Sequence, residues 1–218
     1  MSDIVIFGAG DIGQLAHFYL TKDSPHKPVA FTMDAAYIKE TSLAGLPVLP
    51  FEGIEKQFPP DRFKMFVAVS YSNVNQVRAA KYTEAKQKGY ELISYVSSRA
   101  THWGTPIGDN CFIFEDNTIQ PFTRIGNNVT LWSGNHIGHH STIGDHCFIS
   151  SHVVISGGVV VEPYCFIGVN STIRDHVIIG ERCVVGMGSM ITKSCEPGGV
   201  YLGAPAKRQS STDDLKKI

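Results

Sequence analysis

IGDNCF-IFEDNT-IQPFTR-IGNNVT-LWSGNH-IGHHST-IGDHCF-ISSHVV-ISGGVV-VEPYCF-IGVNST-IRDHVI-IGERCV-VGMGSM-ITKSCE, running from Ile107 to Glu196, repeats every six residues without an insertion. The first position of every frame is Ile, Leu or Val, the second is often Gly, and the fifth is Cys, Asn, Thr, Val or Ser. A fixed short period is the mark of a solenoid, in which each repeat buries its apolar face only against its neighbours. Six residues supply one short strand and a bend. Three frames therefore close a triangular coil of eighteen residues, and the fifteen frames predict five coils. The third and fourth positions fall at the bends. Residues eighteen apart stack one above another at the usual strand spacing of about 4.8 Å.

These frames resemble the hexapeptide-repeat family of left-handed parallel β-helices, over roughly the last half of the chain. The resemblance supplies the hand, because the usual crossover rule is right-handed. It also implies acyl transfer, the activity of most members.

Composition narrows the setting. Hydrophobic residues at 43% and charged residues at 18% fit a globular protein. A formal net charge of −1 leaves no polyanion footprint, so no nucleic-acid partner is expected. No apolar run is long enough to span a bilayer and no signal peptide is visible, so the expected location is cytoplasmic with no membrane partner. Cys111, Cys147, Cys165 and Cys183 all occupy fifth positions, at spacings of 36, 18 and 18, and are predicted to stack inside the solenoid as small buried thiols. No CxxC pair is present, and neither a disulfide nor a bound metal is expected.

Residues 1–96 read as a separate α/β domain and 97–218 as the solenoid with a C-terminal tail. Strands are predicted at Ile4–Phe7, Val29–Thr32, Leu46–Leu49, Met65–Ser70 and Leu92–Val96. Helices are expected from the glycine loop to about Leu20, briefly at Phe51–Phe58, and over Asn75–Lys88. Ser97–Pro106 reads as the junction. Pro197-Gly198-Gly199 is expected to break the ladder, followed by a Gly203–Lys207 loop and a polar end that is frayed or a short helix. The segment Gly8-Ala9-Gly10-Asp11-Ile12-Gly13 follows a strand and opens a helix, the context in which GxGxxG holds a phosphate at a helix N-terminus. Asp34, at the end of the second strand, is placed to accept from a ribose or base. Some 95 residues supply one mononucleotide half rather than the two that a dinucleotide needs.

A half-Rossmann unit followed by a hexapeptide solenoid is similar to the NeuD/PglD sugar acyltransferases, over nearly the whole chain. The resemblance implies that Gly8, Gly10, Asp11, Gly13 and Asp34 hold a nucleotide-linked amino sugar. Ser70, Tyr71 and Ser72 would face the same site, with Arg78 a weaker phosphate candidate.

Read modulo eighteen, one corner of the prism stacks Pro121-Phe122, His139-His140, Gly157-Gly158, Asp175-His176 and Lys193-Ser194. His146 and His152 fall on the other two corners, and His136 points outward. Thioester aminolysis wants a base of near-neutral pKa for the attacking amine and N–H donors for the developing oxyanion. In the resembling family the base is a third-position His followed by an acidic residue. That implies His139 as base and the Gly157 N–H as oxyanion donor, with Gly157, Gly158 and Lys207 binding acetyl-CoA as co-substrate. Here His140 stands where the acid should be and is itself an alternative base. A second family histidine falls at Phe148. Trp132, at a second position, is expected to pack between subunits or stack on a substrate ring. The sixth-position residues Phe112, Phe148, Val154, Val160, Phe166 and Val184 need cover, and the family forms homotrimers with sites between subunits. The expected activity is N-acetylation of a nucleotide-linked amino sugar, best a 4-amino-4,6-dideoxyhexose. Sugar O-acetylation is the alternative, with a γ-carbonic-anhydrase-like metalloenzyme or a non-catalytic nucleotide-sugar binding protein more remote.

Overall fold

The computed structural model describes residues 1–215, which cluster into two units: Met1–Ser70 with Ala80–Tyr95, and Tyr71–Ala79 with the solenoid. No helix among the described residues is long and apolar enough to cross a membrane.

The first unit holds β1 (Asp3–Phe7), α1 (Asp11–Lys22), β2 (Lys27–Met33), β3 (Ser42–Leu43), β4 (Leu46–Pro50) and β5 (Lys64–Val67). The sheet order is β3-β4-β2-β1-β5, with β4, β2, β1 and β5 parallel and β3 an antiparallel edge. Chain order thus reverses between β1 and β5. Ligands in open α/β sheets bind outside the strand carboxyl ends at such a switch point, which here is flanked by the loop after Phe7 and by Ala68–Ser70. The continuous apolar run Ile4–Phe7 is buried, as a central parallel strand requires. Leu92 makes one parallel bridge to Met65, and only Tyr95–Val96 is a strand, where a continuous Leu92–Val96 strand was expected.

In the solenoid, each sixth and first position from Phe112 to Ile191 forms a two-residue strand, and those up to Thr172–Ile173 pair in parallel with the strand eighteen residues on: Thr130–Leu131 on Phe148–Ile149, His136–Ile137 on Val154–Ile155, Thr142–Ile143 on Val160–Val161. First-position side chains from Ile113 to Ile191 fill the interior at 0–4% exposure, each worth about 1.5–3 kcal/mol over leaving it in water. Every fourth position from Asn110 to Gly188 has positive φ, +52° to +66° where the residue is not glycine. That explains the run of Asn, Asp, His and Gly there, since these residues tolerate the left-handed region best.

The fifth position has a physical rule that its small size alone did not disclose. Its side chain donates to the second-position carbonyl fifteen residues on: Cys111 to Gly126, Thr123 to Gly138, Ser141 to Ser156, Cys147 to Glu162, Cys165 to Gly180 and Ser171 to Gly186. The cysteines are therefore buried free thiols that also serve as weak donors to bend carbonyls. Burial pushes the Cys195 thiol up to about 12.

The ladder extends past both expected ends. Ser97–Pro106 is the solenoid's first turn: Ser97 N–H donates to Ile113, Thr101 pairs with Thr118 and Ile107 with Ile125. At the other end Gly199–Leu202 pairs in parallel with Val184–Val185, and Lys207–Ser211 returns antiparallel against it. The tail is thus a strand followed by a 3-10 turn, Thr212–Asp214, capped by Ser211 and Asp214.

Cover for the apolar sixth positions differs by face. Tyr71 packs on Phe148 and Phe166, with ring centroids 5.0 and 4.8 Å apart, and Val74 is buried with Val184 and Val200. That face is therefore covered by the chain's own Tyr71–Ala79 segment and does not need a second copy. Val154 and Ile178 remain exposed on the other two faces, with Val160 and Met190.

Candidate active site

The bend that carries His139 and His140 rests on the bend that carries Gly157 and Gly158. Gly158 N–H donates to the His139 carbonyl at 2.8 Å, and His176 N–H donates to Gly157 at 3.0 Å. Ser141, fully buried, donates its hydroxyl to Ser156 O and accepts from Val159 N–H, so it grips both residues flanking the glycine pair. Of the four N–H groups from Ser156 to Val159, that of Gly157 meets no acceptor among the described residues. An N–H held on a rigid bend without a partner can meet an oxyanion at little reorganisation cost.

The imidazole of His139 lies directly over Gly157. A Cβ on Gly157 would stand 2.6 Å from His139 Cε1 and 2.7 Å from Nε2, so the glycine is a steric condition for this ring position. Gly138, one coil earlier, has its own reason: a Cβ there would meet the Ser156–Gly157 peptide, 2.5 Å from Ser156 C. His139 N–H is capped by Gln120 Oε1 at 2.9 Å. His139 Nδ1 lies 3.0 Å from His140 Nδ1, and the His140 ring sits 4.7 Å from Phe122. Both histidines are exposed. Sequence reasoning brought His139 and Gly157 together but missed Gln120 and Ser141, which carry no motif.

The other bend histidines serve the ladder. His146 takes Asn128 Nδ2 on its Nδ1 at 2.8 Å and packs on Tyr164; burial lowers its pKa, with Asp145 opposing. The His152 and His176 rings lie over Gly134 and Gly158. Trp132 stacks on Phe114 at 4.7 Å and 6°, which occupies one face of its ring.

In the α/β unit, Gly8 has φ +110° and a Cβ there would strike the Ala68 carbonyl, while a Cβ on Gly13 would strike the Gly8 carbonyl. Both glycines are thus required by the fold of the loop. Gly10, the N-cap of α1, has open space around it and is the one of the three free to admit a ligand. Asp11 is exposed in the first turn of α1, where its charge favours the helix dipole and competes with any phosphate. Asp34 accepts from Lys81 Nζ at 2.8 Å, a partner unseen in the sequence. Burial alone would lower the Lys81 pKa, but Asp34 and Glu84 outweigh it and leave it raised. The strand expected to run to Ser70 ends at Val67, which leaves Ser70 in the loop after it; Ser72 is exposed, and Tyr71 is turned onto Phe148 and Phe166. Lys207 is exposed at the start of the final strand.

Arg78 does not fit its expected role. It is 2% exposed, and its guanidinium donates to Asn75 Oδ1 and to the carbonyls of Asn128, His146 and Cys147. A guanidinium spent on backbone carbonyls cannot hold a phosphate. Arg78 is a structural clasp.

The bacterial transferase hexapeptide (six repeats) family matches residues 122–157 and 158–193. A search of the curated proteins gave no match. Among solved structures, a histidine variant of perosamine N-acetyltransferase from Caulobacter crescentus, in complex with CoA and GDP-perosamine, aligns with a TM-score of 0.87 at 20% identity, covering 97% of this chain and 98% of that one. The acetyltransferase domain of PglB from Neisseria gonorrhoeae FA1090 aligns at 0.83 and 20%, covering 96% and 100%. WeeI from Acinetobacter baumannii AYE aligns at 0.80 and 22%, covering 96% and 100%. The chain carries hexapeptide repeats over the matched residues, and its fold is that of these solved structures, an α/β unit followed by a left-handed parallel β-helix.

Proposed function

We propose that the protein is an acetyl-CoA-dependent N-acetyltransferase acting on a nucleotide-linked amino sugar, with a 4-amino-4,6-dideoxyhexose as the best-fitting acceptor. The observation that carries this reading is the His139 imidazole seated on Gly157, whose N–H has no acceptor of its own. The sugar amine attacks the thioester carbon while His139 Nε2 takes its proton. The oxyanion is met by Gly157 N–H. The C–S bond then breaks and the proton passes to the leaving sulfur, releasing CoA as the thiol. The buried cysteines offer no exposed thiol for an acyl-enzyme, which favours direct attack. The half-Rossmann glycine loop, open at Gly10, with Asp34 and Ser70 near the switch point, is the nucleotide site of this reading. The exposed Val154, Val160, Ile178 and Met190 support a homotrimer in which a second copy completes the cofactor cleft.

The test is release of free thiol from acetyl-CoA across a panel of nucleotide-linked sugars with amino or hydroxyl acceptors. Release with an amino sugar is expected. Release with hydroxyl sugars alone would replace N- by O-acetylation, and no release with any would overturn the reading. Gly157→Ala is expected to keep the fold, since the bend is open to solvent, yet to cut kcat about 100-fold or more. Its methyl displaces the His139 ring and disturbs the donor together. A variant of wild-type kcat would remove Gly157 from the mechanism.

A further inference from the structure

His140 stands where the resembling family has a carboxylate, and its contact with His139 answers a chemical need. A neutral imidazole carries one N–H and one lone pair, and which nitrogen holds the proton follows from the hydrogen bond that the other makes. To act as a base, His139 must present the lone pair on the nitrogen that meets the amine. Nε2 and Cε1 are the ring atoms closest to Gly157, while Nδ1 is turned 3.0 Å from His140 Nδ1. At that separation one Nδ1 donates and the other accepts.

Resting on the acetyltransferase reading above, we propose that His140 is the positioning residue for the base. Its Nδ1 lone pair accepts His139 Nδ1–H, which selects the His139 tautomer with a free Nε2, and it keeps that bond when His139 becomes the imidazolium. His140 carries its own proton on Nε2. No charge is needed from the partner, only an acceptor at the right place.

The backbone is built to hold it there. His140 sits in the left-handed region at φ +60°, its N–H donates to Pro121 O at 3.3 Å, and the carbonyl of His139 just before it is held by Gly158 N–H. The exposed Phe122 ring, 4.7 Å away and tilted by 33°, backs the imidazole from the preceding coil. The left-handed backbone also chooses the informative substitutions. Gly and Asp both tolerate this φ, so neither strains the bend, whereas Ala would mix strain with loss of the ring.

Two measurements decide the proposal. The first is a 15N spectrum of histidine-labelled protein above the histidine titration range, with His139 assigned by loss of its signal in His139→Gln. The Nδ1–H form is expected for His139 in the wild type and its loss in His140→Gly. An Nε2–H form in the wild type overturns the proposal whether or not a substrate has been found. The second is kinetics on the acceptor sugar. His140→Gly is expected to lower kcat about 10- to 100-fold, with KM for both substrates within about twofold. His140→Asp, which restores an acceptor, is expected to recover at least a tenfold part of that loss. Unchanged kcat in His140→Gly, or an Asp variant no better than Gly while equally folded, would overturn it. Failure of the wild type to release CoA at all would instead count against the acetyltransferase reading, leaving the tautomer measurement to judge His140.

Discussion

His139→Ala is expected to leave the solenoid folded and to lower kcat/KM for acetyl transfer by about 10²- to 10⁴-fold, the range that positioned general bases contribute. The folded state should hardly notice the change. The side chain is exposed, and the backbone contacts of the residue, its N–H to Gln120 and its carbonyl to Gly158, do not involve the ring. What the variant loses is the lone pair over Gly157. The check is thiol release with the acceptor sugar, alongside thermal unfolding of both proteins. Full activity in a folded His139→Ala protein would move the base elsewhere, with His140 the first place to look. Loss of activity together with loss of the melting transition would show only that the bend had collapsed.

The pairing of His139 with Gly157 was legible in the sequence because the repeat is a coordinate system. Once the strands are known to stack every eighteen residues, residue number alone tells which side chains share a corner. The same arithmetic failed at both ends for a reason visible in the ladder. Val184 pairs with Val200 and Ile179 with Cys195, sixteen residues on, and Thr101 pairs with Thr118, seventeen on. Terminal turns that are a residue or two short fall out of frame, so Thr101, where the six-residue count places a first position, stands opposite the sixth-position Thr118. A period cannot report a rung that does not obey it.

Other misses share a cause of a different kind. Lys81, Gln120 and Ser141 act through side-chain hydrogen bonds to Asp34, His139 and the Ser156–Val159 bend, distant along the chain, and nothing in residue type announces such a partner. The fifth-position rule was half legible. Size was read correctly, but that Cys, Ser and Thr all serve the same bend carbonyl emerges only when the coil above is in place. The aromatic sixth positions were read as surface awaiting another copy, because the repeat says which way a side chain points and not what covers it.

Arg78 is where the sequence misled most, and its removal has the largest expected effect on stability. Arg78→Met is expected to destabilise the protein by about 3–5 kcal/mol, from lost charge-assisted hydrogen bonds and the Asn128 carbonyl left unsatisfied in the interior, the Cys147 carbonyl keeping only its Thr130 N–H. Asn128 and Cys147, two of its acceptors, are fully buried, so water cannot replace the guanidinium there. Burial pushes Arg78 down to about 10, which still leaves it charged at neutral pH. The clasp also holds a costly piece of backbone. Asn73, Val74 and Asn75 are consecutive left-handed residues, at φ 51°, 48° and 66°, closed by Asn75 N–H to Tyr71 O. Such residues cost roughly 1–2 kcal/mol each, and a β-branched one is an outlier. Asn75 binds the carbonyls of Tyr164 and Cys165 and offers its own oxygen to Arg78, so the turn and the clasp stand or fall together. Arg78→Lys should recover little, because a single ammonium cannot reproduce a fork spread over three carbonyls and an amide. At about 2–4 °C per kcal/mol for a chain of this size, the melting temperature should fall by roughly 6–20 °C. Proteolysis should open first within Tyr71–Ala79. A variant melting within about 2 °C of the wild type would mean that the carbonyls find other donors, and that the segment is held by Tyr71 and Val74 alone.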